Sequence, residues 1–531
     1  MKRWNGWGEE SVVFPLAERA GDLLRESVGP GRRQKSCDFS SVVSRVPDSR
    51  LPASAPAYTD PGIRVLHSRG QSLPDWIDMR SGVIDTFPDG VAFPESEQDL
   101  QRIIDFAKQQ GTVLIPYGGG TSVLGHIDPP ALDRPVLTVS MARMGSLLEM
   151  EETSLSATFQ AGILGPDLEA ELNRLGYTLG HFPQSFEFST LGGWVATKSS
   201  GQQSLGYGRM DDLFQGGLLH TPRGPLQIPE IPASAAGPDT GDMVLGSEGR
   251  LGLLSRVTVQ VSPLPEAERF HGLFLPHWEM AQEAVRALVQ GGYELSMIRL
   301  SNAKETRAQL AMSGKDRLSD YMLKYLRFRG LDPREACMLL VGFTGTGARV
   351  KRSRREAVSL LKRRFRAVHL HRFLGDSWAK NRFRAPYLRN TLWDEGYAVD
   401  TLETAVTWDR VDRMMQSVEE ALEQGLAEEG EGVHAFSHLS HFYRTGASVY
   451  TTFIFRLAPD PGQNYRRWQK LKSAASRAIV DNRGTISHHH GVGTDHKEYL
   501  QAEKGELGIS AISGICEYFD PQGIMNPGKL V

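Results

Sequence analysis

The stretch Pro116-Tyr117-Gly118-Gly119-Gly120-Thr121-Ser122 follows the apolar run Val113-Leu114-Ile115, so three consecutive glycines arrive where a buried strand ends. Glycine, without a Cβ, adopts positive φ and lets the backbone approach a bound group, and successive N–H groups then converge on an anion. The stretch is a candidate pyrophosphate loop. It lacks the ordered G-x-G-x-x-G of a Rossmann unit, because Val123 stands where the last glycine belongs. A glycine triplet by itself is more often a plain tight turn, so the case for a ligand rests on its neighbours.

Working outward, Ser96 with Asp99 three residues on marks a helix start. Leu100, Ile103, Ile104 and Ala107 share one helical face, and Gly111 closes the helix. A second unit runs from Pro166 at the first helical position through Leu168, Leu172 and Leu175 to Gly176. It delivers the chain to Phe182–Gly201, rich in small and hydroxyl residues with a further Gly192-Gly193 pair, a composition that can pass close to an aromatic ring system and satisfy its acceptors. A third glycine-rich element, Gly246 to Gly252, precedes the alternating Val257, Val259 and Val261 of a half-buried strand. Three such turns, each at the edge of a regular element, point to one extended cofactor lying across several strands.

At 531 residues the chain is too long for one ordinary core, and two or three domains are expected. Its 60 Lys+Arg nearly balance 63 Asp+Glu, which gives no sign of nucleic acid as a partner. Cys37, Cys337 and Cys516 are far apart, without metal-ligand spacing, and read as reduced thiols. No run of 18 apolar residues occurs and Met1–Gly8 lacks a signal-peptide core, so a soluble, cytoplasmic protein is expected. After about residue 268 the character changes. Cys337–Phe343 and Ser448–Arg456 read as strands of an antiparallel sheet, Trp408–Leu426 as helix, and the basic run Lys351 to Arg366 as a solvated helix face. Near the end come Thr485 to Gly493, which contains His488-His489-His490, and Phe519 to Lys529.

Together these elements resemble the flavin-binding fold of the vanillyl-alcohol oxidase family, and within it the alkyldihydroxyacetonephosphate synthase branch. The similarity covers nearly the whole chain: Trp4–Gly8, Phe186–Thr190 with Gly192-Gly193-Trp194, Gly246–Gly252, and the three-histidine block, its most specific part. The resemblance implies an α+β fold divided into an N-terminal segment 1–85, an FAD-binding domain 86–267, a cap or substrate domain 268–480, and a segment 481–531 that returns to the flavin site. It implies FAD contacts from Pro116, Tyr117, Gly118, Gly119, Gly120, Thr121 and Ser122; from Gln184, Ser185, Phe186, Glu187, Phe188, Ser189 and Thr190; from Thr197, Lys198, Ser199 and Ser200; and from Gly246, Ser247, Glu248, Gly249, Arg250, Leu251 and Gly252. Some relatives attach FAD covalently through a histidine near His126; the synthase branch does not, so non-covalent FAD is expected, as is a homodimer. A long-chain substrate is compatible with peripheral contact with a membrane. The chain also departs from the pattern: Gln184 replaces an aspartate, Arg250 a threonine, and Ile524–Lys529 is closer to flavin-dependent glycolate and D-lactate dehydrogenases.

The implied reaction replaces the fatty acid of acyl-dihydroxyacetone phosphate by a long-chain alcohol, in ether-lipid synthesis, with no net redox change. It needs a base, a cation for the phosphate and an apolar channel. His488, His489 and His490 are the base candidates, because imidazole titrates near neutrality; on a strand they would alternate faces, so not all three would reach the flavin. Tyr450 matches the branch's catalytic tyrosine by position, and Arg389 its substrate-binding arginine, with Arg299 a second candidate for the anion. No metal is expected; His438 and His441 would be the more natural ligands, but the Gly-Asp-Gly-Asn context of metal-dependent relatives is missing. The alternative reading is an FAD-linked 2-hydroxy acid dehydrogenase or oxidase, in which an arginine clamps a carboxylate.

Overall fold

The computed structural model describes residues 2–312 and 316–531. Around the glycine triplet it forms a three-stranded parallel sheet in the order Gly90–Ala92, Val136–Ser140, Val113–Tyr117. The helix Glu97–Gln110 begins as its sequence dictates: the Ser96 side chain accepts from the Asp99 N–H, and Gly111 ends it in the left-handed conformation. Leu100, Ile103, Ile104 and Ala107 pack on Leu114, Leu137 and Val139, and the cluster is completed by Ile524 and Met525 from far along the chain. That segment extends the sheet. Leu114 N–H donates to the Ile524 carbonyl (2.7 Å) and Asn526 N–H to the Leu114 carbonyl (2.8 Å).

A five-stranded antiparallel sheet follows, in the order Leu147–Glu151, Ser156–Gln160, Leu253–Gln260, Phe214–Thr221, Gly224–Ile228. The third body is a seven-stranded antiparallel sheet, in the order Val368–His369, Ala267–Leu275, Cys337–Gly345, Met297–Ser301, Val433–Phe442, Gly446–Arg456, Tyr397–Thr407. Both segments read as strands, around Cys337 and Ser448, lie in it. Helices Trp278–Gln290, Gly347–Arg364, Val411–Gln424 and Pro461–Asp481 bury their apolar stripes against one face, through Leu288, Leu361, Met414, Leu422 and Leu471. On Gly347–Arg364 that leaves Lys351, Arg352, Arg355, Lys362 and Arg363 in solvent, the solvated face the sequence predicts. The other face is polar toward its centre and forms one wall of the site. Among the described residues no helix is long and apolar enough to cross a membrane.

Candidate active site

Period two brings most of the side chains that reach the cavity from the seven-stranded sheet to one face, with Asp400 and His441 lining it in addition. Val399, Thr401 and Glu403 from one strand, Phe436, His438 and Ser440 from a second, and Tyr450, Thr452 and Ile454 from a third all point to the same side. Register aligns them: Tyr450 lies opposite both Glu403 and His438, and Phe436 opposite Thr452. The cavity between this face and the glycine-rich turns has a volume of about 650 Å³, within the usual range for ligand sites.

The opposite wall is the cradle expected for a cofactor. Pro116 to Ser122, Gln184, Ser185, Ser189, Thr190, Thr197, Ser199, Ser200, Ser247, Glu248, Gly249 and Gly252 line the cavity. Other residues of the same segments sit behind the wall. Phe186 stacks on Phe383, Phe188 meets Trp7 edge-on, and Glu187 faces the Tyr387 phenol. Lys198 lies 3.7 Å from Asp211, Gly246 N–H bonds the Val195 carbonyl, Arg250 bonds the Met525 carbonyl, and Leu251 is core. Two glycines have a use beyond flexibility. A Cβ on Gly119 would fall 1.5 Å from the Phe188 carbonyl oxygen, and one on Gly249, at φ +76°, would fall 2.6 Å from Pro116, so glycine is what allows the three turns to meet. Ser200 Oγ, Gln202 Oε1 and Asn526 Oδ1 are buried at this wall without protein partners, as fits a site completed by a polar cofactor. His126 also lines the cavity, its Nδ1 2.7 Å from Ser122 Oγ and its Nε2 3.2 Å from Glu248 Oε2.

Arg389, on the helix Ala385–Asp394, lies over the Trp76 ring, 4.4 Å from its centroid, and gives Nη1 to the Gln71 carbonyl. Its Nε and Nη2 are buried without a partner at the cavity. Burial lowers its pKa to about 10, so it remains charged near neutrality and is open to an anion. Arg299 is differently placed. It lines the cavity, but its Nη2 donates to Glu305 Oε1 at 2.7 Å, and His438 Nδ1 lies 3.0 Å from the same oxygen, so its charge is largely answered within the protein. Tyr450 stacks on His438 with centroids 4.8 Å apart, and burial pushes its phenol up to about 12, keeping it protonated.

The histidine block is an irregular bend, so strand alternation does not govern it. His489 and His490, adjacent in sequence, both line the cavity, and His488 turns away. Glu403, unpredicted from sequence, fixes this arrangement: its side chain is 0 % exposed, with His489 Nδ1 at 2.7 Å, His488 Nδ1 at 3.5 Å and His441 Nε2 at 4.0 Å. Ser440 Oγ also donates to it (2.7 Å). Burial alone would raise the Glu403 pKa, but the surrounding histidines hold it well below the ordinary carboxylate value. Burial lowers those of His441 and His490 to about 3 and that of His488 well below its usual value. The nitrogens of His441, His488 and His489 and the Glu403 carboxylate lie within 4.8 Å of one another, a spacing a metal ion would also accept, although these atoms already pair among themselves. Glu248 ties the block to the cradle, accepting from the Val492 and Gly493 N–H groups.

Beside this geometry stand the comparisons. Residues 88–228 match the FAD binding domain family and residues 264–530 the C-terminal domain of FAD linked oxidases. An alkyldihydroxyacetonephosphate synthase of Trypanosoma brucei brucei is 32% identical over 476 residues, covering 88% of this chain and 77% of that protein. One from Dictyostelium discoideum is 29% identical over 575 residues, covering 100% of this chain and 93% of its own. A solved alkyldihydroxyacetonephosphate synthase structure superposes with a TM-score of 0.85 at 26% identity, over 99% of this chain and 98% of that one. A cradle of three glycine-rich turns facing a sheet that bears Tyr450, with Arg389 from a neighbouring helix and His489 and His490 from a bend lining the same cavity, together with these likenesses, makes the chain an FAD enzyme that belongs to the alkyldihydroxyacetonephosphate synthase family of FAD-linked oxidases.

Proposed function

We propose that the chain exchanges the acyl chain of an acyl-dihydroxyacetone phosphate for a long-chain alcohol, forming an ether lipid. One observation carries the reading: the cavity joins the FAD cradle to a half-free guanidinium and to an apolar patch of Leu388, Leu392, Phe436 and Ile454. The Arg389 Nε and Nη2 groups would bind the phosphate, and the apolar patch would take the departing and incoming chains in turn. His489 and His490 line the same cavity, and either would take the proton adjacent to the substrate carbonyl. Tyr450, still protonated, would donate a hydrogen bond to the leaving carboxylate. The glycine-rich turns would hold FAD non-covalently, and FAD when bound would supply an electrophilic ring; the exchange itself involves no net oxidation.

Anaerobic mixing of the holoenzyme with acyl-dihydroxyacetone phosphate and a long-chain alcohol tests this, with the visible spectrum and lipid products followed together. Alkyl product and free fatty acid with no lasting flavin bleaching are expected, and acid precipitation should leave the protein colourless. An Arg389→Ala variant should raise KM for the phosphate substrate roughly 10- to 100-fold, the scale of a lost hydrogen bond to a charged group. Absence of product, with bleaching by a 2-hydroxy acid, would move the protein to the dehydrogenases and make Arg389 a carboxylate clamp.

A further inference from the structure

A base enclosed between a cofactor and a lipid chain has little access to water, yet the exchange releases a fatty acid and a proton. His488 is the block's one histidine outside the cavity wall, and its two ring nitrogens face different ways. Nδ1 is 3.0 Å from His489 Nδ1, on the cavity side. Nε2 is 2.6 Å from Tyr443 Oη, on the outer side. Tyr443 is half-buried in the turn between strands Val433–Phe442 and Gly446–Arg456, and next to it Arg444 and Thr445 are exposed. Its oxygen also accepts from Arg209 Nη1 at 3.0 Å, and Arg209 Nε lies 3.2 Å from Asp211 Oδ1, with side chains 20% and 31% exposed. The hydrogen-bonded line therefore runs from the cavity to the surface without a gap.

We propose that Tyr443 and His488 form a proton relay by which the cavity-side histidine exchanges its proton with solvent, resting on the function read above. Going inward, Tyr443 Oη–H passes its proton to His488 Nε2, His488 Nδ1–H passes its own to His489 Nδ1, and Tyr443 is reprotonated from water. Going outward, each transfer reverses. One proton enters for each that leaves, and nothing is oxidised or reduced. Glu403 lies within 3.5 Å of both Nδ1 atoms, so its negative charge favours the extra proton on His488, and Arg209 favours the transient loss of the Tyr443 proton. His441, the remaining titratable group facing His488, lies beside it with centroids 4.8 Å apart. Tyr443 and Arg209 are positioning residues here, as neither reaches the cavity.

The test is Tyr443→Phe, which removes one oxygen, studied as holoenzyme. Turnover and incorporation of solvent deuterium at the carbon next to the substrate carbonyl should both fall by roughly 10-fold or more, below the hundredfold or more contributed by direct acid–base groups. KM, flavin content, visible spectrum and melting temperature should be unchanged, and small buffers such as imidazole or formate should restore the rate as their concentration rises. Wild-type-like turnover in the variant would overturn the relay and leave the proposed function intact. A loss that buffers do not restore, or that comes with a changed flavin spectrum, would also overturn it, reducing Tyr443 to a packing residue. Wild-type enzyme that gives neither ether product nor deuterium exchange would overturn the function, and the relay with it.

Discussion

Glu403 does its work through charge more than shape. It is a single carboxylate beneath three imidazoles, and the low dielectric around it magnifies its effect on where a proton rests. Glu403→Gln keeps the side-chain outline and the Ser440 bond but removes the charge that stabilises a protonated neighbour. The expected outcome is a fall in kcat on the order of 100-fold with KM and flavin content preserved, the scale at which general acid–base groups act. Steady-state kinetics with a visible spectrum of the purified variant decide it. Equal loss in KM would show that Glu403 shapes the cavity instead. This residue was hidden in the sequence because Asp400-Thr401-Leu402-Glu403 carries no motif. It enters the site only through the pairing of Tyr397–Thr407 with Gly446–Arg456, strands separated by a helix and a further strand. Tyr443 and Arg209 escaped for the same reason, whereas the histidine block announced itself by composition alone.

At the level of elements, local signals were the ones that could be read. Ser96, Asp99 and Gly111 bound the helix Glu97–Gln110 by capping chemistry confined to a few residues, and the three glycine-rich turns stand out wherever they occur. What could not be read is how those turns contact one another, since the neighbour of Gly119 is the Phe188 carbonyl and that of Gly249 is Pro116. The same long-range logic places His489 and His490 side by side at the cavity on an irregular bend, where a strand would have separated them. Gly119→Ala puts a methyl where no atom fits, and backbone must move to admit it. The variant should purify without flavin, with stability lowered by about 1–3 kcal/mol or more, the usual cost of overpacking. Absorbance per protein and a thermal melt measure both, and a yellow, wild-type-stable variant would show that the turn accommodates the methyl.

For the whole molecule, burial of uncharged imidazoles sets an acid limit. His181, His441 and His490 have folded pKa values near 3 against an ordinary 6.5, so between those values the unfolded chain binds protons that the folded chain refuses. Stability must then be full above 6.5 and decline as pH falls from there toward 3. Glu305 and Glu403, depressed below the ordinary 4.5 by the arginine and histidine groups that face them, add a second loss of the same sign only at lower pH. The melting temperature should therefore begin to fall already in mildly acidic buffer, before carboxylates titrate, and a flat profile there would contradict the burial of these rings. The sheet edge formed by Leu114 and Ile524 to Asn526 has a temporal meaning as well. Asn526 bonds the His126 carbonyl across 400 residues of sequence and also reaches the Glu248 carbonyl, so it braces two of the glycine-rich turns. As the chain emerges from a ribosome the candidate pyrophosphate loop precedes its brace by about 400 residues, so flavin capture is expected to await synthesis of Asn526, and chains terminated before that residue should leave the ribosome colourless.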